Sequence, residues 1–147
     1  MGLKTLAGSE AAPKIEEKLS GSIIEINEDC IMVAKDSIAG VMQLLKESPE
    51  FDFNYINNIT AVDNLDHFEV VYNITSLTRK HTLCVKARVP GRDAPEIPSV
   101  TSVWKGADFQ EREVYDLMGI LFIDHPNLKR IALWAGFEGH PLRKDFL

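Results

Sequence analysis

Residues 67–89, HFEVVYNITSLTRKHTLCVKARV, decide the fold of this 147-residue chain. Phe68, Val70, Tyr72 and Ile74 recur at a spacing of two, a polar break follows at 76–79, and the pattern resumes with His81, Leu83, Val85, Ala87 and Val89 opposite Thr82, Cys84, Lys86 and Arg88. Side chains of a strand point alternately to its two faces, so this spacing predicts two half-buried strands joined by a short turn, one face core and the other wetter. Working outward, residues 51–62 form a third strand-like run, joined through the polar stretch 63–66, and the three together read as an antiparallel meander. Upstream the period changes. Ile38, Val41, Met42 and Leu45 follow the i, i+3, i+4, i+7 rule, with Asp36 or Ser37 to cap the first turn and Ser48 with Pro49 to stop the run, which predicts an amphipathic helix. Before it, residues 22–26 and 30–33 flank the polar triplet 27–29 and read as a hairpin. The order β, β, α, β, β, β implies an α+β sandwich, mainly antiparallel sheet with helices packed on one face, followed by an irregular C-terminal segment.

Three parts are expected. Residues 1–12 are small and polar without periodicity and are read as a flexible N-terminus, with a short helix beginning at Pro13; residues 13–122 make the α+β domain; residues 123–147 make an extended, partner-binding segment. Pro90, Gly91, Pro95 and Pro98 punctuate an irregular connection, a helical turn is expected at 99–104, and a helix over 108–118 should stop at Gly119. Asp108 and Glu111 have the spacing of an acidic capping box. On a helical wheel Ala107, Val114, Leu117 and Met118 form the apolar arc, Glu111 and Glu113 fall at its two edges, and Arg112 and Asp116 lie i, i+4 apart on the outer side.

The formal charge of −6 argues against nucleic acid, whose backbone attracts basic surfaces. Residues 1–73 hold five Lys, no Arg and thirteen acids, whereas residues 74–147 hold eleven basic and nine acidic side chains, including all six Arg. Arg is the basic residue preferred in desolvated contacts, so the C-terminal half is the expected contact surface. The sequence shows neither a signal-peptide pattern nor a span of roughly 20 apolar residues, so the chain is expected to be intracellular and not itself embedded in a membrane. Cys30 and Cys84 lie in separate strand-like runs and read as reduced, small hydrophobes, neither of them catalytic. The four histidines, 67, 81, 125 and 140, show no metal-ligand spacing; His81 reads as a satisfied strand residue, and His125 and His140 each precede a proline, which favours turn geometry. Glu111 and Glu113, two apart on a helix, point about 200° from each other and cannot flank one bond. A small enzyme built on His125 or His140 with a nearby carboxylate would need those groups to converge in one pocket.

A spaced set of motifs adds to this reading. Trp104 with KGA behind it, EREVYDLMGI at 111–120, His125 with Pro126, LKRI at 128–131 and EGHPLRKDF at 138–146 resemble the C subunit of the proton-pumping NADH:quinone oxidoreductase, respiratory complex I, the family of the mitochondrial 30 kDa subunit. The likeness covers about the last third of the chain. The signature is matched at Glu111, Arg112, Glu113, Asp116, Leu117, Met118, His125, Lys129 and Ile131, and departs at Ala132 and around 134–137.

The resemblance implies a non-catalytic assembly subunit of the peripheral arm, in a membrane-bound complex that couples electron transfer to quinone with proton translocation. It implies no cofactor on this chain, with flavin, iron-sulfur clusters and quinone on partners, and it names those partners as chiefly the D subunit of the complex, with the B and I subunits nearby. Localisation would be peripheral, on the cytoplasmic side of the cell membrane. Trp104, Glu111, Arg112, Glu113, Asp116, His125, Pro126, Lys129, Arg130, Gly139, His140, Pro141, Arg143, Lys144 and Asp145 become the signature and interface residues. Glu111 to Asp116 would fix the end of the domain, while Arg143 and Lys144 would reach a partner. Equivalent subunits of hydrogenases and of ferredoxin- or deazaflavin-linked dehydrogenases look similar, and a stand-alone adaptor is a further alternative.

Overall fold

A computed structural model describes residues 3–91, 93–129 and 139–143. Among them the elements run β1 (Lys4–Thr5), α1 (Gly8–Lys18), β2 (Ile23–Ile26), β3 (Cys30–Val33), a 3-10 turn (Lys35–Ser37), α2 (Ile38–Glu47), β4 (Tyr55–Asp63), β5 (His67–Ser76), β6 (His81–Pro90), β7 (Glu96–Pro98), α3 (Ala107–Met118) and β8 (Leu121–Ile123). The meander lies where the alternation puts it. β4 pairs with β5 and β5 with β6, both antiparallel, and Phe68, Val70, Tyr72, Ile74, Leu83, Val85, Ala87 and Val89 fill the core face. The hairpin β2–β3 joins by a parallel pairing of β3 with β6, giving the strand order β2-β3-β6-β5-β4. β1 runs along the same edge of β6, at His81 and Thr82, in line with β3.

The N-terminus differs from expectation. Residues 4–12 do not fray: β1 pairs with β6, and α1 begins at Gly8, so Pro13 falls inside the helix and not at its start. The missing signal is one of size. Gly8, Ala11, Ala12 and Ile15 form the buried stripe of α1, and a Cβ on Gly8 would stand 2.4 Å from the Asn27 carbonyl oxygen and 2.8 Å from that of Cys30. The helix approaches the hairpin too closely for larger side chains, and small residues carry little hydrophobic periodicity. α2 buries Ile38, Val41, Met42 and Leu45, the four residues its spacing selects.

Beyond β6 the structure adds two short strands that have no period of their own. β7 and β8 pair in parallel through Ile97 and Phe122, and the Ser99 amide extends the ladder to the Ile123 carbonyl at 2.8 Å. The chain segments on either side of α3 are thereby tied together. The helical turn expected at 99–104 is present, with the Val103 and Trp104 amides both reaching the Val100 carbonyl at 3.0 Å. α3 then lies beside the outer strand β4, where the Gln110 side chain accepts from the Ile59 amide at 2.5 Å and donates to the Asn57 carbonyl at 3.4 Å. One amide side chain thus occupies part of the free edge of the sheet.

Candidate functional site

The signature residues converge on α3, and its first half is organised around a buried acid. Glu111 has no exposed surface. Its Oε1 accepts from the Ser99 hydroxyl at 2.6 Å and its Oε2 from the Val100 amide at 2.8 Å. Ser99 spends its one proton on Glu111, so the Thr101 hydroxyl, 2.8 Å away, must donate to Ser99. Burial pushes the Glu111 carboxyl up to about 7, against the lowering effect of these two hydrogen bonds, with Asp108 raising it further. The sequence expectation puts Glu111 at the rim of the helix and in a capping box; neither holds. The N-cap residue is Gly106 and no side chain caps the helix. Glu111 is four residues from Ala107 and three from Val114, so it lies close to the inward stripe, and the turn after β7 folds over it.

Asp108 and His125 form the wall beside it. The His125 ring is fully buried, with Nε2 3.0 Å from Asp108 Oδ1 and 4.0 Å from Glu111 Oε1. The Asn127 amide donates to its Nδ1 at 2.9 Å, which leaves the other nitrogen, Nε2, to donate to the Asp108 carbonyl at 3.3 Å. The turn geometry expected before Pro126 is therefore what carries the ring inward. An open cleft of about 460 Å³ lies outside, lined by Thr101, Ser102, Lys105, Asp108, Asp124 and Pro126. Asp108 faces it half-exposed, but the imidazole does not reach it. Deeper in, the Tyr72 hydroxyl is buried without a hydrogen-bond partner among the described residues, and burial, with the Glu111 charge, holds its ionisation well above the usual range.

The far end of α3 is closed by the last described residues. Gly119 ends the helix in the left-handed conformation, φ 77°, as its position predicts. The chain returns at 139–143. His140 Nδ1 donates to the Asp116 carbonyl at 3.0 Å, the Leu142 amide to the Leu117 carbonyl at 3.0 Å and Arg143 Nε to the Met118 carbonyl at 2.6 Å. Three successive carbonyls that a helix end leaves without donors are satisfied by one short stretch. The Arg143 guanidinium also stands 5.1 Å from the centre of the Phe68 ring. Gly119 has to be glycine here on a second count, because a Cβ would come within 2.7 Å of both Arg143 and His140. Within the segment 123–147, expected to be extended and partner-binding, residues 140–143 pack on the end of α3. Arg143, expected to reach a partner, is bonded through Nε to the negative end of α3.

The other signature residues divide by burial. Trp104 is a core residue whose Nε1 donates to the Phe53 carbonyl at 3.1 Å. Asp116 is fully buried, not on an outer face, and Arg112 turns to the Lys129 carbonyl at 3.4 Å. Glu113, Pro126, Lys129 and Gly139 are exposed, and Pro141 is half-buried. Arg130, Lys144 and Asp145, with Ile131, Ala132 and 134–137, lie outside the described residues. His125 and His140 do not converge: they serve opposite ends of α3, eight residues or about 12 Å apart along its axis. Among the described residues no three His, Cys, Asp or Glu side chains gather as a metal-ligand set. Sequence reasoning misses Ser99 and Val100, the partners of Glu111, because they lie in a Pro-punctuated connection where no spacing rule points to them.

Comparison with known proteins agrees with the motifs. The family profile of the respiratory-chain NADH dehydrogenase 30 kDa subunit matches residues 31–147. The NADH-quinone oxidoreductase C subunit of Geobacter sulfurreducens is 40% identical over 146 residues, covering 94% of this chain and 88% of that protein. The protein of the same name from Roseiflexus castenholzii is 38% identical, covering 95% and 80%. A chain in the structure of the membrane-bound sulfane sulfur reductase, an archaeal respiratory membrane complex, superposes with a TM-score of 0.77 at 27% identity, covering 95% of this chain and 85% of that one. With its α+β fold, its closed α3 and these relatives, the chain belongs to the respiratory-chain NADH dehydrogenase 30 kDa subunit family.

Proposed function

We propose that this chain is a non-catalytic assembly subunit of the peripheral arm of a membrane-bound NADH:quinone oxidoreductase. One observation carries the reading beyond family membership: Glu111, His125, His140 and Arg143 of the signature are engaged in building the fold. Glu111 ties α3 to the turn at 99–101, His125 is sealed behind Asp108, and His140 with Arg143 closes the helix end. A reacting group must reach its substrate, and these groups point into the protein. Phe109, Leu121 and Leu142, by contrast, expose large apolar side chains on and beside α3, the kind of surface that a partner covers. No helix among the described residues is long and apolar enough to cross a membrane, which fits attachment through other subunits. In this reading flavin, iron-sulfur clusters and quinone belong to partners, chiefly the D subunit with the B and I subunits nearby, on the cytoplasmic side.

The test is to tag the chain, solubilise membranes gently and identify what is recovered with it by mass spectrometry. Recovery with a quinone-site subunit and iron-sulfur subunits is expected, and the input-module subunits found would identify the electron donor. A chain recovered alone from the soluble fraction would overturn the proposal.

A further inference from the structure

The two cysteines, distant in sequence, are neighbours in the fold. Cys30 on β3 and Cys84 on β6 are directly opposed in the parallel ladder. Ile31, Val33, Leu83 and Val85 point into the core, so Cys30 and Cys84 project together from the other face, where both are half-buried free thiols. Neighbouring strands run about 4.8 Å apart, which brings the two Cα atoms within the roughly 4.4–6.8 Å that a disulfide spans. Side chains standing side by side on a sheet keep their Cβ atoms near the strand spacing, wider than the about 3.8 Å of a relaxed disulfide, so such a bond forms under strain and is readily reduced.

We propose that Cys30 and Cys84 are a reversible redox site, a dithiol that closes to a disulfide between β3 and β6 by exchange with a small-molecule disulfide. The Cys30 sulfur, as thiolate, attacks one sulfur of the external disulfide; that S–S bond breaks, and one small thiolate leaves. Cys84 then gives up its proton to solvent, its sulfur attacks the Cys30 sulfur, and the second small thiolate leaves. The two protein thiols are oxidised, the external disulfide is reduced to two thiols, and the protons lost by the cysteines end on them. The order of attack follows from position: Cys30 is the first residue of β3, at the end of its strand, whereas Cys84 lies inside β6 with a strand on either side. Burial pushes the Cys84 thiol up, in keeping with its place as the second sulfur to act. Lys86, two residues along β6 on the same face, is a cation that favours the Cys84 thiolate, and Asp29, next to Cys30 in the chain, opposes it.

The purified full chain is incubated with oxidised glutathione near pH 8, quenched by alkylation and read by intact mass and peptide mapping. The expected product has no alkylatable thiol, carries no glutathione, contains a Cys30–Cys84 peptide and returns to the dithiol with reduced glutathione. Cys84→Ser should accumulate one glutathione on Cys30, and Cys30→Ser should be modified about tenfold more slowly or less. A wild-type chain that keeps two alkylatable thiols, or holds glutathione on each cysteine without an internal cross-link, overturns the site. Faster modification of Cys30→Ser than of Cys84→Ser overturns the order of attack. The wild-type result needs no variant, so a poorly folded substitution cannot obscure it.

Discussion

Replacing Glu111 by glutamine should make the protein more stable at neutral and alkaline pH and change little in acid. A carboxyl raised from its ordinary 4.5 to about 7 binds its proton about 3 kcal/mol more tightly in the folded chain than in the unfolded one. Below about pH 4.5 both states are protonated and Glu111 costs nothing. Between about 4.5 and 7 the unfolded chain has released the proton and the folded chain still holds it, so stability falls as pH rises. Above 7 the loss is complete, at about 3 kcal/mol. Glutamine is always neutral and keeps both contacts, its oxygen accepting from the Val100 amide and its NH2 donating to the Ser99 oxygen, which has the lone pairs to receive it. Urea unfolding of wild type and Glu111→Gln at several pH values between 5 and 8 isolates the effect, because every other titrating group is common to both. The two stabilities should lie within about 1 kcal/mol at pH 5 and separate by about 3 kcal/mol at pH 8. Parallel curves would refute the argument. Glu111→Ala should instead lose about 3 kcal/mol or more throughout, because it strands two buried donors.

Arg143→Ala removes a charged donor from the end of α3 and should cost about 2 kcal/mol in urea unfolding; it should also lower the amount of assembled complex, whereas normal assembly with lost turnover would contradict a structural role. Gly119→Ala needs a left-handed alanine and displaces Arg143 and His140 from a Cβ 2.7 Å away, so a loss of more than about 1 kcal/mol is expected by thermal or urea unfolding. Tyr72→Phe deletes a buried hydroxyl with no partner among the described residues and should be neutral or stabilising by up to about 1 kcal/mol. Any substantial destabilisation would mean that the hydroxyl is satisfied.

Period and punctuation make much of the domain legible. The meander, the hairpin, α2 and the stop at Gly119 each follow from a rule that acts within a few residues. The same rules fail where packing between distant segments decides. Gly8, Ala11 and Ala12 look featureless because close approach selects small side chains, whose burial leaves no hydrophobic signature. Glu111 looks like a rim acid because a helical wheel knows nothing of Ser99 and Val100. Arg143 looks like an outward-facing cation, although its partner is the Met118 carbonyl, which no charge count reveals. The described motif residues lie on and around α3, but the direction in which each side chain acts comes only from the fold.

The pairing of β3 with β6 also bears on the order in which the chain can assemble. β4, β5 and β6 meet neighbours in sequence, so each step of the meander closes a short loop. The hairpin β2–β3 and the strand β1 have no place in the sheet until His81 to Ala87 exist to receive them. Closing that longer loop costs more entropy before any contact repays it. The N-terminal third therefore has its strand edge and its apolar stripes uncovered until β6 has been made, and its docking onto β6 is the pairing in this sheet that closes the longest loop.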